Sequence, residues 1–536
     1  MKLWIHLCIA CCIFGEENDP PLLKSLVLVD SPSKMGKHEY ESGVHIEGIT
    51  VPGGNDKLQD GLMSLFYERP LSDGLIFDLK QEIATFYQQH NHPLVNVIAP
   101  HQKEATETLF LIVIEALLGK VTVKGSERTP APAIEKWIHV KPGESIDESI
   151  LLRDIHWINS NPFREVNVVY RAGEKHGTTD IDLIVSERKF WNTYVGGDNT
   201  GSAHIGRTRW FTGARLAYFF LIDHDLMLQF TTCNNIDQFK AYTFQYAARL
   251  PWRNTWNISG SYATTHPKSL PIHSNGKTYQ LSGRYAIPHW ISKESLFTYV
   301  VGFDFKGLNN NIFFGEESQT PAQQQFAWIG QFFGSFQCNI DKKPHKVSAG
   351  IEAYWSPGPL FPHQTEADFA SLRAKATAKY FYSHLTANWI EDLPKGWTLD
   401  LRTKVQLSST TLLSSEQFTL GGVNTVRGYD ERVVGGDSGA CANLEFHAPL
   451  FPVAGRWKPK IKDSLQIIAF FDAGYAWNRE QLLLFPKGQL LFSTGPAIRY
   501  WIGSYFSLRC DLGFPFLAVV NDSGHPRLHF NALMSY

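Results

Sequence analysis

The chain has little charge for its length and no strong excess of either sign. Charged residues make up 19% of the 536 residues, and the formal net charge is -2. No basic surface of the kind that binds nucleic acid is indicated, so no nucleic-acid partner is expected. Beyond residue 15, no apolar run approaches the roughly 20 residues that a transmembrane helix requires.

The sequence also lacks cysteines spaced for disulfides or metal binding, and it lacks common catalytic motifs. The cysteines beyond the N-terminus are far apart, so neither a disulfide framework nor a metal site is predicted; they are Cys233, Cys338, Cys441 and Cys510. No Gly-x-Ser-x-Gly or His-Glu-x-x-His pattern occurs. The phosphate-loop lookalike "PIHSNGKT" has Pro271 where the first glycine must stand. We therefore expect no cofactor and no enzyme.

The N-terminus has the pattern of an export signal. In "MKLWIHLCIACCIFGEEN" a lysine precedes an apolar stretch, which then changes abruptly to polar residues. This pattern predicts a signal peptide over residues 1–15, followed by an N-terminal segment or linker over residues 16–43. A lipoprotein signal acylated at Cys11 or Cys12 is the alternative.

Two small α/β modules are predicted to follow, over residues 44–116 and 117–188. The first has a strand at "VHIEGIT", two amphipathic helices and two further strands, whereas the second begins at "LGKVTVKG" and has a helix between its strands. Each sheet is expected to have an open edge, which accepts an extended peptide as an added strand. The alternative is that the modules are only a spacer.

Over residues 189–536 the apolar period changes to two. We count sixteen alternating segments separated by turn residues, which predicts a transmembrane β-barrel of about 16 antiparallel strands. The last segment alternates from Leu528 to Met534 and the chain stops on Tyr536. A soluble β-sandwich is the alternative.

One long loop, within "FTLGGVNTVRGYDERVVGGDSGA", falls between the predicted eleventh and twelfth strands. Glycine pairs at 421–422 and 435–436 flank Arg427 and supply the φ freedom that a chain reversal needs. In the next strand, "FFDAG", alternation points Phe470, Asp472 and Gly474 into the lumen. We predict that Arg427 folds back into the barrel and pairs with Asp472, because a guanidinium can bind a carboxylate through two parallel hydrogen bonds. Gly474 is expected to make room for the loop backbone.

The same alternation directs four further charged side chains inward as a possible lumen network. They are Glu445, Arg499, Arg509 and Asp511. A wet channel lined by charges would also explain them.

"VRGYD" followed by "FFDAG" resembles the paired motifs of the outer-membrane assembly and secretion superfamily. The chain is most similar to its two-partner secretion branch, the haemolysin-activator and filamentous-haemagglutinin transporters. "VNVIAPHQ" resembles the first polypeptide-transport-associated (POTRA) domain of that branch, "VKPGESID" the second, and "GGDNTGSAHIGRTRW" its entry into the barrel. The resemblance covers residues 44–536.

The resemblance implies a function and partners. Arg427, Gly428 and Tyr429 would form the tip of an inward-tucked loop that contacts the barrel wall at Asp472. The POTRA domains would bind a large unfolded exoprotein in the periplasm, and the barrel would pass it through the outer membrane without ATP. Outer-membrane lipid would surround the barrel, and Tyr536 would serve as a signal for the barrel-assembly machinery.

Two features depart from the family pattern, and alternatives stay open. "PPLLKSLVLVD" is a poor start for the N-terminal plug helix that the family often has, and His447 stands where arginine is common. An assembly factor that inserts other barrels is the main alternative function, although two modules rather than five disfavour it. An outer-membrane lipase or protease and a plain porin are further alternatives.

Overall fold

The computed structural model describes residues 22–36, 39–102, 107–175, 177–202, 205–267, 272–292, 294–314, 323–458, 460–481, 486–519 and 522–536. The predicted signal peptide and its acylation alternative lie outside these residues. The chain divides into two compact units, Met1–Glu187 and Arg188–Tyr536.

The first module is a four-stranded sheet packed on two helices. Its elements are β1 (Ser25–Val29), β2 (Gly43–Glu47), α1 (Asn55–Phe66), α2 (Asp73–Gln89), β3 (Val95–Ile98) and β4 (Thr108–Glu115). The strand order is β2-β1-β4-β3, with β1 parallel to both of its neighbours. Leucines of α1 and α2 pack on the sheet in one apolar core.

The prediction of a linker over residues 16–43 is wrong for residues 25–29, because these form the central strand β1. All five residues of β1 are buried. Leu26 and Leu28 face the helices, whereas Val27 and Val29 face a second apolar cluster on the other side of the sheet. A parallel strand buried on both faces has no apolar–polar alternation, which is why the sequence pattern did not reveal it.

The second module has a three-stranded sheet. Its elements are β5 (Leu117–Lys124), α3 (Ala131–Glu135), α4 (Glu148–Asn159), β6 (Arg164–Ala172) and β7 (Thr178–Glu187). The strand order is β5-β7-β6. The Asp147 side chain caps α4 by accepting the amides of Ser149 and Ile150, and such a cap stabilises a helix start by about 1 kcal/mol.

The predicted barrel is confirmed: among the described residues, sixteen strands close into one antiparallel barrel. The barrel strands are β8 (Trp191–Asp198), β9 (Arg209–Ala217), β10 (His224–Thr232), β11 (Phe239–Arg249), β12 (Thr255–Thr265), β13 (Ile272–Ser292), β14 (Ser295–Phe314), β15 (Gln323–Lys342), β16 (His345–Pro357), β17 (Lys379–Asp392), β18 (Thr398–Ser408), β21 (Ser438–His447), β22 (Asp463–Trp477), β23 (Gly488–Ile502), β24 (Phe506–Pro515) and β25 (Arg527–Ser535). Two short strands, β19 (Phe418–Leu420) and β20 (Val434–Gly436), pair with each other in a separate hairpin.

Shorter elements join the barrel strands. They are the helix α5 (Glu366–Leu372) and 3-10 turns at Pro394–Gly396 and Ala454–Arg456, and the first module has a further turn at Pro32–Lys34. In the part of the chain that the structure describes, no helix has the length and apolarity to cross a membrane.

Alternation along the strands separates an outer apolar face from the lumen. On β22, Ile467 and Phe471 are 49% and 44% exposed, whereas Phe470 and Asp472, on the other face of the strand, are 3% and 0% exposed. On β25, Leu528 and Met534 lie outside and His529 is buried inside. The outer residues form the lipid-facing surface, and the inner ones are placed to contact whatever fills the barrel.

The position of β1 yields a test by truncation. A fragment of residues 22–187 should unfold cooperatively, because both modules are complete. A fragment of residues 44–187 lacks the central strand of the first sheet, so its first module should be unfolded while the second stays folded. Thermal unfolding followed by circular dichroism checks this, and equal signals and transitions for the two fragments would contradict the assignment of β1.

Candidate functional site

The candidate site is the loop of residues 409–437, which we call the inner loop. It joins β18 to β21 at the end of the barrel opposite to the start of β8, and it folds back against the inner wall. Its apolar side chains pack on buried residues of β21, β22 and β23. The packed residues are Phe418, Leu420, Val426, Tyr429, Val434, Cys441, Ala476 and Leu491.

Arg427 lies at the tip of the inner loop and is only 2% exposed. Its Nε donates to Asp472 Oδ2 at 2.7 Å, and its Nη2 donates to Asp472 Oδ1 at 2.7 Å. The Arg427 amide also donates to Asp472 Oδ2, at 3.0 Å. The structure thus places Arg427 and Asp472 in the bidentate contact that the sequence predicts, and this geometry is the strong form of a charged hydrogen bond.

Two more carboxylates complete the surroundings of the guanidinium. Nη1 of Arg427 donates to Glu445 Oε1 at 2.6 Å and to Asp511 Oδ1 at 3.0 Å. The guanidinium also lies 3.6 Å from the centre of the Phe470 ring, a cation–π contact. We call Arg427 with Asp472, Glu445 and Asp511 the tip site.

Arginines of the barrel wall balance the charge of these carboxylates. Arg402 Nη2 lies 2.8 Å from Glu445, and Arg499 and Arg509 donate to Asp511 at 2.8 Å and 2.6 Å. Three carboxylates therefore meet four guanidinium groups. A buried charge without a partner is costly, and here each of the buried carboxylates has at least one guanidinium partner.

The four residues of the predicted lumen network lie together around Arg427. Arg402 also belongs to this cluster, although no sequence pattern marked it. Arg402 lies on β18, which precedes the inner loop. The alternation along β22 does not tell which residues of β18 point into the lumen. His447 Nε2 donates to Glu445 Oε2 at 3.0 Å. Asp400, Glu445 and His447 have the spacing of a metal-binding group, but two guanidiniums already bind Glu445 and disfavour a cation there.

Two glycine backbones meet where the tip of the inner loop lies against the wall. Gly428 has φ of +91°, and its amide donates to His529 Nε2 at 2.9 Å. A Cβ at Gly513 would lie 2.4 Å from the Gly428 nitrogen. The expectation that Gly474 admits the loop backbone is therefore wrong, because Gly474 instead makes room for the side chains of Leu420 and Val426.

Tyr429 fixes the side of the tip that faces away from Asp472. Its ring is fully buried, and its hydroxyl donates to the carbonyls of Leu517 at 2.8 Å and Phe492 at 3.1 Å. The next residue, Asp430, forms an ion pair with Arg527 on β25. The three residues Arg427, Gly428 and Tyr429 thus each bind a different part of the wall.

The glycine pairs differ in role. Gly421 and Gly422 have φ of +100° and +99°, a left-handed backbone that favours glycine, so they form the predicted hinge. Gly435 and Gly436 lie in β20, where no positive φ is needed. The prediction of a second hinge at this pair is wrong, because the returning chain is held by pairing with β19.

Two acidic residues of the inner loop were not predicted. Asp437 is fully buried and accepts from Arg373 Nη1 at 2.5 Å and from the amides of Leu412 and Arg479 at 2.9 Å. Glu416 is 4% exposed and lies beside Lys306. Burial acts to raise the pKa of Glu416, but the Lys306 ammonium together with hydrogen bonds from Lys306, Tyr382 and Ser415 outweighs it, so the pKa is lowered. Loop residues follow no strand alternation, so no sequence signal marked either one.

Tyr536 lies at the barrel seam. Its backbone exchanges hydrogen bonds with Thr193 on β8 at 2.9 Å and 3.1 Å. Its ring centre is 4.0 Å from Lys189 Nζ and 5.7 Å from the Trp191 ring. These contacts join the last residue of the chain to the first barrel strand.

Comparisons with known proteins agree with this architecture. A family model, the haemolysin secretion/activation protein ShlB/FhaC/HecB, matches residues 332–485, which include the whole inner loop and Asp472. The heme/hemopexin transporter protein HuxB of Haemophilus influenzae is 23% identical over 468 residues, covering 84% of this chain and 78% of that protein. The outer membrane transporter CdiB of Dickeya dadantii is 21% identical over 442 residues, covering 76% and 71%. The structure of CdiB from Escherichia coli has a TM-score of 0.75 at 12% identity and covers 98% of this chain and 92% of that one.

The protein is therefore an outer-membrane transporter, built from a sixteen-stranded barrel and two POTRA domains that lie in the periplasm. Within that class, the chain is similar to the haemolysin secretion/activation protein family ShlB/FhaC/HecB, whose model matches residues 332–485.

The glycine contact at the tip gives a prediction about loop position. Gly513→Ala places a methyl group against the Gly428 backbone, which cannot yield as a side chain would, so the tip should leave its position. Hydrogen exchange read by mass spectrometry should show the amides of residues 423–431 exchanging at least about tenfold faster.

The matched control is Gly334→Ala on β15, where a Cβ would meet nothing within 4 Å. Both variants should still run at different gel positions when boiled and unboiled, as a folded barrel does. Unchanged exchange at residues 423–431 in Gly513→Ala would mean that the tip does not rest on Gly513.

Proposed function

We propose that this protein recognises a large secreted partner protein in the periplasm and passes it, unfolded and without ATP, through the barrel to the cell surface. The observation that supports this most strongly is the inner loop. A loop that occupies the lumen but is attached by side-chain contacts can be displaced without unfolding the barrel. The sequence offers no phosphate loop, so the transport step is assigned no nucleotide.

The outer edge of β6 is the proposed capture site. In the described part of the chain β6 pairs with β7 alone. Asn159 exchanges two hydrogen bonds with the backbone of Val166, so the N–H and C=O of Val166 point away from β7. Because backbone direction alternates, those of Val168 and Tyr170 also point outward. Asn159 covers the first of these positions, and an extended partner segment would pair with the others.

Exposed side chains on this strand suit an extended partner. Val169 is 44% exposed and Tyr170 is 38% exposed, on opposite faces of β6. Main-chain pairing gives affinity for any extended segment, and side-chain contacts on the two faces give preference among segments. An unfolded exoprotein supplies both the free main chain and the side chains for these contacts.

At the tip site we assign Arg427, Gly428 and Tyr429 the role of holding the inner loop, and Asp472 and Phe470 the role of its receptor on the wall. Removing one partner of a buried ion pair typically costs about 3–5 kcal/mol, because the other charge stays buried and unpaired. The loop therefore stays in place at rest, and transport requires that the partner displaces it.

Tyr536 is proposed to act in assembly. Its ring contacts and its pairing with β8 are those of a residue that completes the barrel seam. We propose that the barrel-assembly machinery binds the β25 strand before this seam forms. Lipid of the outer membrane then contacts the apolar outer face.

The capture edge is tested by a proline substitution. Val168→Pro removes an outward N–H without breaking a β6–β7 hydrogen bond, so the module should fold normally. Binding of the N-terminal region of the cognate exoprotein to residues 22–187 should weaken by about tenfold, the equivalent of one or two hydrogen bonds. Isothermal titration calorimetry and a secretion assay provide the measurements.

Val168→Ala is the matched control, since it loses the side-chain packing but keeps the N–H. It should bind the exoprotein nearly as well as the parent. Equal binding by the proline and alanine variants would rule out strand addition at β6. Insertion of other barrels without secretion of any exoprotein would favour an assembly factor instead.

A further inference from the structure

Glu416 stands apart from the tip site and binds another part of the wall. Its carboxylate accepts from Lys306 Nζ at 2.9 Å and 3.0 Å, from Tyr382 Oη at 2.7 Å and from Gln331 Nε2 at 3.3 Å. These partners come from β14, β17 and β15. We call Glu416 with Lys306, Gln331 and Tyr382 the base site, because Glu416 precedes the β19–β20 hairpin.

The base site and the tip site use different strands of the barrel wall. The tip site uses β21, β22 and β24. In the strand order, six strands separate β15 from β24 in one direction and eight in the other. The nearest strands of the two sites, β17 and β21, have β18 between them, so a loop bound at both sites is held on either side of the strand from which it leaves the wall.

The base site is built to take a carboxylate. Gln331 Nε2 donates both to Glu416 and to Asp304 Oδ2, at 3.1 Å, while Tyr380 donates to Gln331 Oε1 at 2.7 Å and so fixes the amide orientation. Arg284 Nη2 donates to Asp304 at 2.6 Å. Two cations and two carboxylates balance, and Glu416 is the only one of these four charges that the loop supplies.

We propose that Glu416 is a positioning residue that fixes the base of the inner loop to the β14–β17 wall, so that the resting loop is held at two separate sites. The role of this attachment in transport rests on the proposed function. At the base, the Glu416 carboxylate contacts one cation, Lys306, and two neutral donors, Tyr382 and Gln331. At the tip, Arg427 contacts three carboxylates and its amide donates to one of them. The base is therefore the end that is released first.

The test measures hydrogen exchange of the full-length protein in detergent micelles. Glu416→Gln keeps the shape but removes the charge, so residues 413–420 should exchange about tenfold faster. Residues 423–431 should keep their protection, because Arg427 retains all its contacts. Lys306→Met should give the same pattern, and the double variant should be no faster than the faster single variant.

Asp225→Asn is the matched control. Asp225 is a buried lumen carboxylate on β10 that pairs with Arg215 and Arg249, both on the wall. It should leave residues 413–420 unchanged. Unchanged exchange there in Glu416→Gln, or an equal rise in Glu416→Gln and Asp225→Asn, would overturn the proposal.

Secretion by the same variants separates this proposal from the proposed function. Faster exchange at residues 413–420 supports the base site whatever happens to secretion. If the unaltered protein secretes no exoprotein while Glu416→Gln still exchanges faster at residues 413–420, the secretion function is contradicted and the proposal for Glu416 stands.

Discussion

One guanidinium group organises the lumen. Arg427 binds three carboxylates that come from three different barrel strands, and it is buried when it does so. Because isolated buried charges are costly, the loop cannot move away without leaving these carboxylates to the wall arginines and to water. The charged groups of the barrel wall are therefore arranged around the inner loop, which fills the lumen as a bound ligand would although it is continuous with β18 and β21.

The proposed binding at the second module and the displacement of the inner loop act on the same exoprotein. Strand addition at β6 would hold an extended exoprotein by backbone hydrogen bonds, each of which contributes about 1 kcal/mol. The contacts at the tip site together contribute more free energy than any one of these backbone hydrogen bonds. A long partner that engages the barrel interior at many points is then the kind of ligand able to displace the inner loop, whereas a small solute is not. The architecture thus favours a secretion pore over a plain porin.

Much of this architecture was predictable because alternation along strands is a strong signal. Alternation predicted the barrel fold and the inward direction of the Asp472 side chain. Together with the glycines of the inner loop, it also predicted the contact between Arg427 and Asp472. It could not reveal β1, whose two buried faces remove alternation, nor Glu416, which lies in a loop. Whether Gly435 forms a hinge or a strand depends on pairing with β19, and whether Gly474 or Gly513 meets the loop depends on strand stagger. Both are tertiary properties.

The most direct test of the account is a double-mutant cycle on secretion at Arg427 and Asp472. Arg427→Ala, Asp472→Ala and the double variant should all assemble normally, as judged by heat-modifiable mobility in gels. If the two residues act as one tether, the double variant should secrete no less than Arg427→Ala alone. Two independent defects that multiply in the double variant would contradict the account.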